Sequence, residues 1–152
     1  MRRQINAFRY EGLYAASYGG WSGHVYAAGV RSSAEGIIQP LALGGFLRLS
    51  GAPLNSIVSD QALLARTVFA RRVGRLPALA GGAVRIGFSL EAGRAKGVAS
   101  EPDRSTFYGG SVFVQTETRM GPLYLALGST RGAGTAVYLF LGPVLLPSGL
   151  LR

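Results

Sequence analysis

Ala83-Val84-Arg85-Ile86-Gly87-Phe88-Ser89-Leu90-Glu91 is the stretch whose reading decides the fold. Val84, Ile86, Phe88 and Leu90 take one parity, and Arg85, Gly87, Ser89 and Glu91 take the other. A strict period of two is that of a β-strand, whose successive side chains point to opposite faces. One face is purely apolar, while the other carries charge, hydroxyl and glycine. In a soluble sheet the polar face would meet water; in a membrane barrel it would line the lumen.

The same alternation continues toward the C-terminus. From Phe107 to Thr118, Val112, Val114 and Thr116 lie opposite Ser111, Phe113, Gln115 and Glu117. After the turn Arg119-Met120-Gly121-Pro122, Leu123, Leu125 and Leu127 alternate with Tyr124, Ala126 and Gly128. Beyond Arg131-Gly132-Ala133-Gly134, Val137, Leu139 and Leu141 alternate with Tyr138, Phe140 and Gly142. Strands joined by short turns predict an antiparallel up-and-down meander. Residues 97–105, with Pro102, Asp103 and Arg104, read as a loop.

Upstream the pattern is looser. Residues 6–18 place Phe8, Tyr10 and Tyr14 on one parity and Arg9 and Glu11 on the other, with Gly19-Gly20 as a turn. A second strand is expected from Gly23 to Ser32 and a third from Ile37 to Leu43, interrupted by Pro40. Residues 61–73 are ambiguous. Their alanines and leucines, after Ser59 and Asp60 as possible caps, lean toward helix. As a strand, the same stretch sets Leu63, Ala65, Thr67 and Phe69 against Arg66 and Arg72.

Composition agrees with an all-β chain bearing two unlike faces. The 152 residues suit one domain, 48% are hydrophobic and only 15% charged, with a mean hydropathy of +0.26. No apolar run is long enough for a transmembrane helix, but barrel strands need only roughly 9–11 residues to span. The 23 glycines are dispersed, about twice the usual share of roughly 7%, which suits bends and close approaches in a curved wall. The absence of cysteine excludes disulfides and thiolate metal sites. The net charge of +9 comes mostly from arginines standing singly, apart from Arg2-Arg3 and Arg71-Arg72. Without a basic–aromatic motif this argues against nucleic acid. A positively lined lumen, or attraction to anionic lipid headgroups, accounts for the charge. Met1-Arg2-Arg3-Gln4-Ile5-Asn6 is not followed by an apolar core and does not read as a signal peptide. A barrel reading therefore expects an export signal upstream.

Between the two halves lies Gly44-Gly45-Phe46-Leu47-Arg48-Leu49-Ser50-Gly51, followed by Pro53, Asn55 and Ser56. Paired glycines, an aromatic, an arginine and Ser-Gly suggest a lid or plug loop spanning 44–58. Glu117-Thr118-Arg119-Met120-Gly121-Pro122-Leu123-Tyr124-Leu125-Ala126-Leu127-Gly128 and Val137-Tyr138-Leu139-Phe140-Leu141-Gly142 resemble the C-terminal barrel of bacterial patatin-like phospholipases. Gly87-Phe88-Ser89-Leu90-Glu91-Ala92-Gly93 and Arg71-Arg72 match the same pattern, which belongs to the bacterial surface antigen superfamily. The resemblance covers nearly the whole chain, more strongly from about residue 41. It implies that the glycine loop folds back into a lumen. In that superfamily the loop tip carries arginine and an aromatic. Here Ser50 and Ala52 stand in those places and Arg48 sits two residues early, so the charge of the family's lid-to-wall contact is displaced. About three strands before the loop and five after it make half of the family's sixteen-strand barrel, or a small closed version of it. The patatin hydrolase domain, the periplasmic repeat and the family's terminal aromatic have no counterpart here, so the chain reads as a fragment with an atypical tail after Gly142.

No catalytic, cofactor or metal constellation accompanies the pattern. Gly87-Phe88-Ser89-Leu90-Glu91 lacks the final glycine of a nucleophile elbow. The single His24 has no carboxylates at metal-ligand spacing. The acids are scattered rather than paired. Arg66, Arg85, Glu91, Gln115 and Glu117 are the candidate lumen-facing polar residues, expected to hold the loop through charge-assisted hydrogen bonds. Tyr14, Tyr18, Trp21 and Tyr26 are candidates for an interfacial girdle. The expected function is that of a non-enzymatic outer-membrane barrel segment, which anchors or translocates an attached patatin-like domain. Its expected partners are membrane lipid, that upstream domain and another barrel-forming chain. The alternatives are a phospholipase fragment whose hydrolase domain lies upstream, and a soluble basic β-domain that binds an acidic partner.

Overall fold

The computed structural model describes residues 6–32, 39–77, 82–96 and 106–142. These form an all-β antiparallel meander of nine strands, with no helix among the described residues. The strands are β1 (Ala7–Tyr18), β2 (Trp21–Ser32), β3 (Leu41–Leu43), β4 (Ile57–Ser59), β5 (Gln61–Arg75), β6 (Ala83–Ala95), β7 (Thr106–Thr118), β8 (Gly121–Thr130) and β9 (Gly134–Leu141). Seven of them make one sheet in the order β1-β2-β5-β6-β7-β8-β9, while β3 and β4 pair as a separate two-stranded ribbon. Three strands precede the glycine loop and six follow it; the extra one is the three-residue β4. Of the expected strand from Ile37 to Leu43, only Leu41–Leu43 is extended, and 37–38 lie outside the described residues. The expected loop at 97–105 also lies outside them.

The helical leaning of residues 61–73 is overturned. This stretch is a central strand, paired to β2 on one side and β6 on the other. Helix propensities differ by only tenths of a kcal/mol per residue among ordinary residues. Two full ladders of backbone hydrogen bonds and an alternating buried face outweigh them. The alternation is visible in the packing: Ala62, Leu64, Val68 and Ala70 are buried along with Arg66, while Leu63 and Phe69 are exposed.

Parity thus divides the sheet into two unlike faces. On one face the ribbon and the glycine loop are packed, building two apolar clusters. Tyr26, Ala28, Val30, Leu64 and Phe107 close around Leu41, Leu43, Leu49 and Ile57. Val68, Ala70, Phe113, Tyr124 and Ala126 close around Phe46 and Leu47.

The other face is bare and apolar. Two cross-strand rows run across it. Trp21, Arg71, Ile86, Val114, Leu125 and Leu139 are successive register partners from β2 to β9. Gly23, Phe69, Phe88, Val112, Leu127 and Val137 form the adjoining row. Ile86 is 48% exposed, Leu90 59%, Val112 58% and Leu139 76%. The sheet is therefore inside out by the standard of a water-soluble domain.

Candidate functional site

The site lies on the covered face, where the loop 44–56 meets the wall. Tyr26, Arg66, Glu91, Gly109 and Thr130 are successive register partners across five strands. His24, Val68, Ser89, Ser111 and Gly128 form the next row. The polar parity of each strand is thereby assembled into two adjacent polar lines directly beneath the loop.

Glu91 is the centre of the contact and is buried, as are Ser50 and Arg66. One carboxylate oxygen, Oε2, accepts the backbone N–H groups of Leu49 at 2.7 Å and Ser50 at 2.6 Å. The other, Oε1, accepts the Ser50 hydroxyl at 2.7 Å and the Ser89 hydroxyl at 2.5 Å. Four donors around one buried carboxylate satisfy the charge without an adjacent ion pair. Ser50 Oγ in turn accepts Leu47 N–H at 2.9 Å, while Ser89 and Ser111 hydroxyls bond each other at 2.8 Å.

The loop is shaped for this contact. Gly44 and Gly45 hold φ of 108° and 100°, in the region that glycine enters without penalty. Leu47 and Leu49 also lie at positive φ, 61° and 79°, which costs about 1–2 kcal/mol each for a residue with a Cβ. That turn geometry aims consecutive N–H groups into one concavity, an anion-binding nest. The Glu91 carboxylate occupies it. Apolar anchoring accompanies the polar contact. The Phe46 ring lies 6.0 Å from Phe113, 5.7 Å from Tyr124 and 5.6 Å from Tyr138, centroid to centroid.

Further bonds fix the loop on both sides. Arg66 donates from one terminal nitrogen to the Leu47 carbonyl at 2.9 Å, and its guanidinium lies 4.4 Å from the Tyr26 ring centroid. The Thr130 hydroxyl donates to the Ser50 carbonyl at 2.8 Å, and Gly51 N–H donates to the Tyr138 hydroxyl at 2.8 Å. The loop comes close to the wall at Gly128: a Cβ there would stand 2.4 Å from Ser50 Cβ.

The expected polar residues thus separate into two groups. Arg66 and Glu91 grip the loop. Arg85, Gln115 and Glu117 share their face but do not touch it. Arg85 sits six residues from Glu91 along β6, roughly 20 Å at about 3.3 Å per residue, and its guanidinium pairs with Glu117 at 2.6 Å. Gln115 lines a hollow of about 320 Å³ with His24 and Tyr124. The His24 Nε2 is buried without a hydrogen-bond partner.

Of the loop residues, Gly44 N–H closes the turn on the Arg48 carbonyl at 2.5 Å. Gly45 N–H bonds within the loop, to the Ala52 carbonyl at 3.1 Å, while Phe46, Ser50 and Gly51 seat the loop on the wall. At the tip, Ser50 keeps the loop on the wall through its amide and hydroxyl. Tyr26 leaves the expected girdle: it faces the loop side and donates to Glu11 at 2.6 Å. Tyr14, Tyr18 and Trp21 are exposed.

Ser111, Thr130 and Tyr138 were not expected to take part. Their parity matches that of Glu91, but only the register across strands brings Thr130 and Tyr138 to the loop and Ser111 to Ser89. No family model, curated protein or solved structure matches the chain.

Proposed function

We propose that this chain is a wall segment of a bacterial outer-membrane β-barrel, without enzymatic activity of its own, that anchors or translocates an attached domain. The observation that carries the reading is the inversion of polarity. Arg66 and Glu91 are buried beneath the loop, while Ile86, Phe88, Leu90, Val112 and Leu127 stand exposed on the opposite face. An apolar face that spans most of a sheet exceeds the patches that soluble monomers expose. Lipid is the solvent that such a face suits, and the loop-covered face then faces a lumen. The buried Glu91–Ser50 contact makes the loop a lid held from within. The resemblance to the barrel of patatin-like phospholipases supports the same assignment and names the kind of domain that would be attached.

Backbone hydrogen bonding adds a requirement. β1 and β9 are the edges of the sheet, and unpaired backbone groups in lipid cost several kcal/mol each. All six pairings in the seven-stranded sheet are antiparallel, so β1 and β9 run in the same direction. A fully antiparallel closure therefore takes an odd number of further strands, supplied by another barrel-forming chain or by a longer form of this one.

The test is dispersal and insertion. The chain is expected to need detergent to stay dispersed and to acquire β-structure with phospholipid vesicles. A monomeric, well-folded protein in plain buffer would overturn the membrane reading and favour a soluble basic domain.

A further inference from the structure

The geometry points to a binding site for an anionic phospholipid on the bare face, with Arg71 holding the phosphate and the two apolar rows holding an acyl chain. This rests on the bare face being the lipid-facing one. The two rows line an open trough of about 800 Å³, within the roughly 300–1,000 Å³ typical of small-molecule sites. Its lining is apolar from β5 to β9, and Arg71 is the one charged residue along it. Arg71 lies at one end, on the β2 side, with its guanidinium 5.3 Å from the centroid of the Trp21 ring.

That stacking holds the cation beside the mouth of an apolar trough rather than free in solvent. Trp21 is itself 51% exposed, and Tyr18, its register partner on β1, is 91% exposed. Aromatic rings beside a cation at the end of an apolar band are the side chains that sit at headgroup level. The ligand these features match is amphipathic, with one negative charge at the Arg71 end and a hydrocarbon tail across Phe69, Phe88 and Val112. A zwitterionic lipid also offers a phosphate, but its own ammonium competes for it, so the charge of the guanidinium is left without net compensation.

The sole tryptophan of the chain lies in the site, so its fluorescence reports occupancy directly. The full chain would be reconstituted in phosphatidylcholine bilayers containing either brominated phosphatidylglycerol or brominated phosphatidylcholine, whose bromines quench only at short range. Phosphatidylglycerol is expected to be enriched around Trp21 about fivefold over its mole fraction, the effect of one arginine at a charged membrane surface. Arg71→Gln should bring quenching down to the mole fraction. Arg94→Gln, an exposed arginine at the other end of the bare face, should leave the enrichment unchanged. Arg71→Lys provides a second variant that keeps the charge, and it should keep most of the preference. Equal quenching by the two lipids in the unsubstituted chain would overturn the site while leaving the membrane assignment intact. Loss of the preference in Arg94→Gln would reduce it to general charge attraction and overturn the site. No quenching by either lipid would remove the membrane assignment and the site together.

Discussion

Ser50 and Glu91, 41 residues apart in sequence, are joined twice: Ser50 gives its backbone N–H to Oε2 and its hydroxyl to Oε1 of the same carboxylate. With Leu49 N–H on Oε2 and Ser89 Oγ on Oε1, the loop tip and the strand share one charged hub.

Replacing that hub should free the loop in proportion to what is lost. In Glu91→Gln the amide oxygen still accepts the two backbone N–H groups, and the hydroxyls can rotate to accept from the new NH₂. The loss is then mainly that of charge assistance, about 1–2 kcal/mol. Amide hydrogen exchange at Leu49 and Ser50 should accelerate about tenfold. Glu91→Ala removes every acceptor and should accelerate it a hundredfold or more. Unchanged exchange in Glu91→Ala would show that the apolar contacts of Phe46 alone seat the loop.

Glycine at 128 is required by the approach of the loop. Gly128→Ala sets a Cβ 2.4 Å from Ser50 Cβ and 3.1 Å from its Cα, so the main chain of the tip must move. Proteolytic cutting within residues 44–56 should become faster, while the strands persist by circular dichroism. Gly12→Ala, whose added Cβ meets nothing within 4 Å, serves as the control and should cut at the unsubstituted rate.

A charge on the bare face separates the membrane reading from its soluble rival. Val112 is exposed at the middle of that face. In a bilayer, Val112→Arg should cost about 2–4 kcal/mol near the midplane and lower the yield of protease-protected protein in vesicles. In a soluble domain the same change would be neutral or would raise solubility. The sign of the effect decides.

Arg66 and Glu91 are register partners that hold the same loop, Arg66 through the Leu47 carbonyl and Glu91 through the tip amides. Their losses should not add. In a double-mutant cycle of Arg66→Met and Glu91→Gln, measured by loop exchange, the double variant should fall short of the summed effects by about 0.5–3 kcal/mol. Strict additivity would mean that the two contacts act on separate segments.

Much of the wall was legible because its signal is local. The alternation from Val84 to Leu90, and again from Leu123 to Leu127, marks strands and faces whatever their neighbours are. Gly19-Gly20, and Gly121-Pro122 within Arg119-Met120-Gly121-Pro122, mark turns by their own backbone preferences. The polar parity likewise placed Glu91 before any pairing was known, and Arg66 only on the reading of its stretch as a strand. β5 was not legible in this way, because its alanines and leucines favour helix locally and only β2 and β6 make it a strand. Arg85 and Glu117 share the parity of Glu91, yet distance along the strand keeps them from the loop.

The sequence by itself determined an all-β meander with one apolar and one polar parity, because side-chain alternation follows from the strand backbone alone. Only the tertiary structure decided which polar residues form the site. Register sets Tyr26, Arg66, Glu91 and Thr130 in one line, and positive φ at Leu47 and Leu49 turns the loop's amides onto the Glu91 carboxylate. Those are relations between distant segments, fixed by hydrogen bonds across strands. No period within a single strand encodes them.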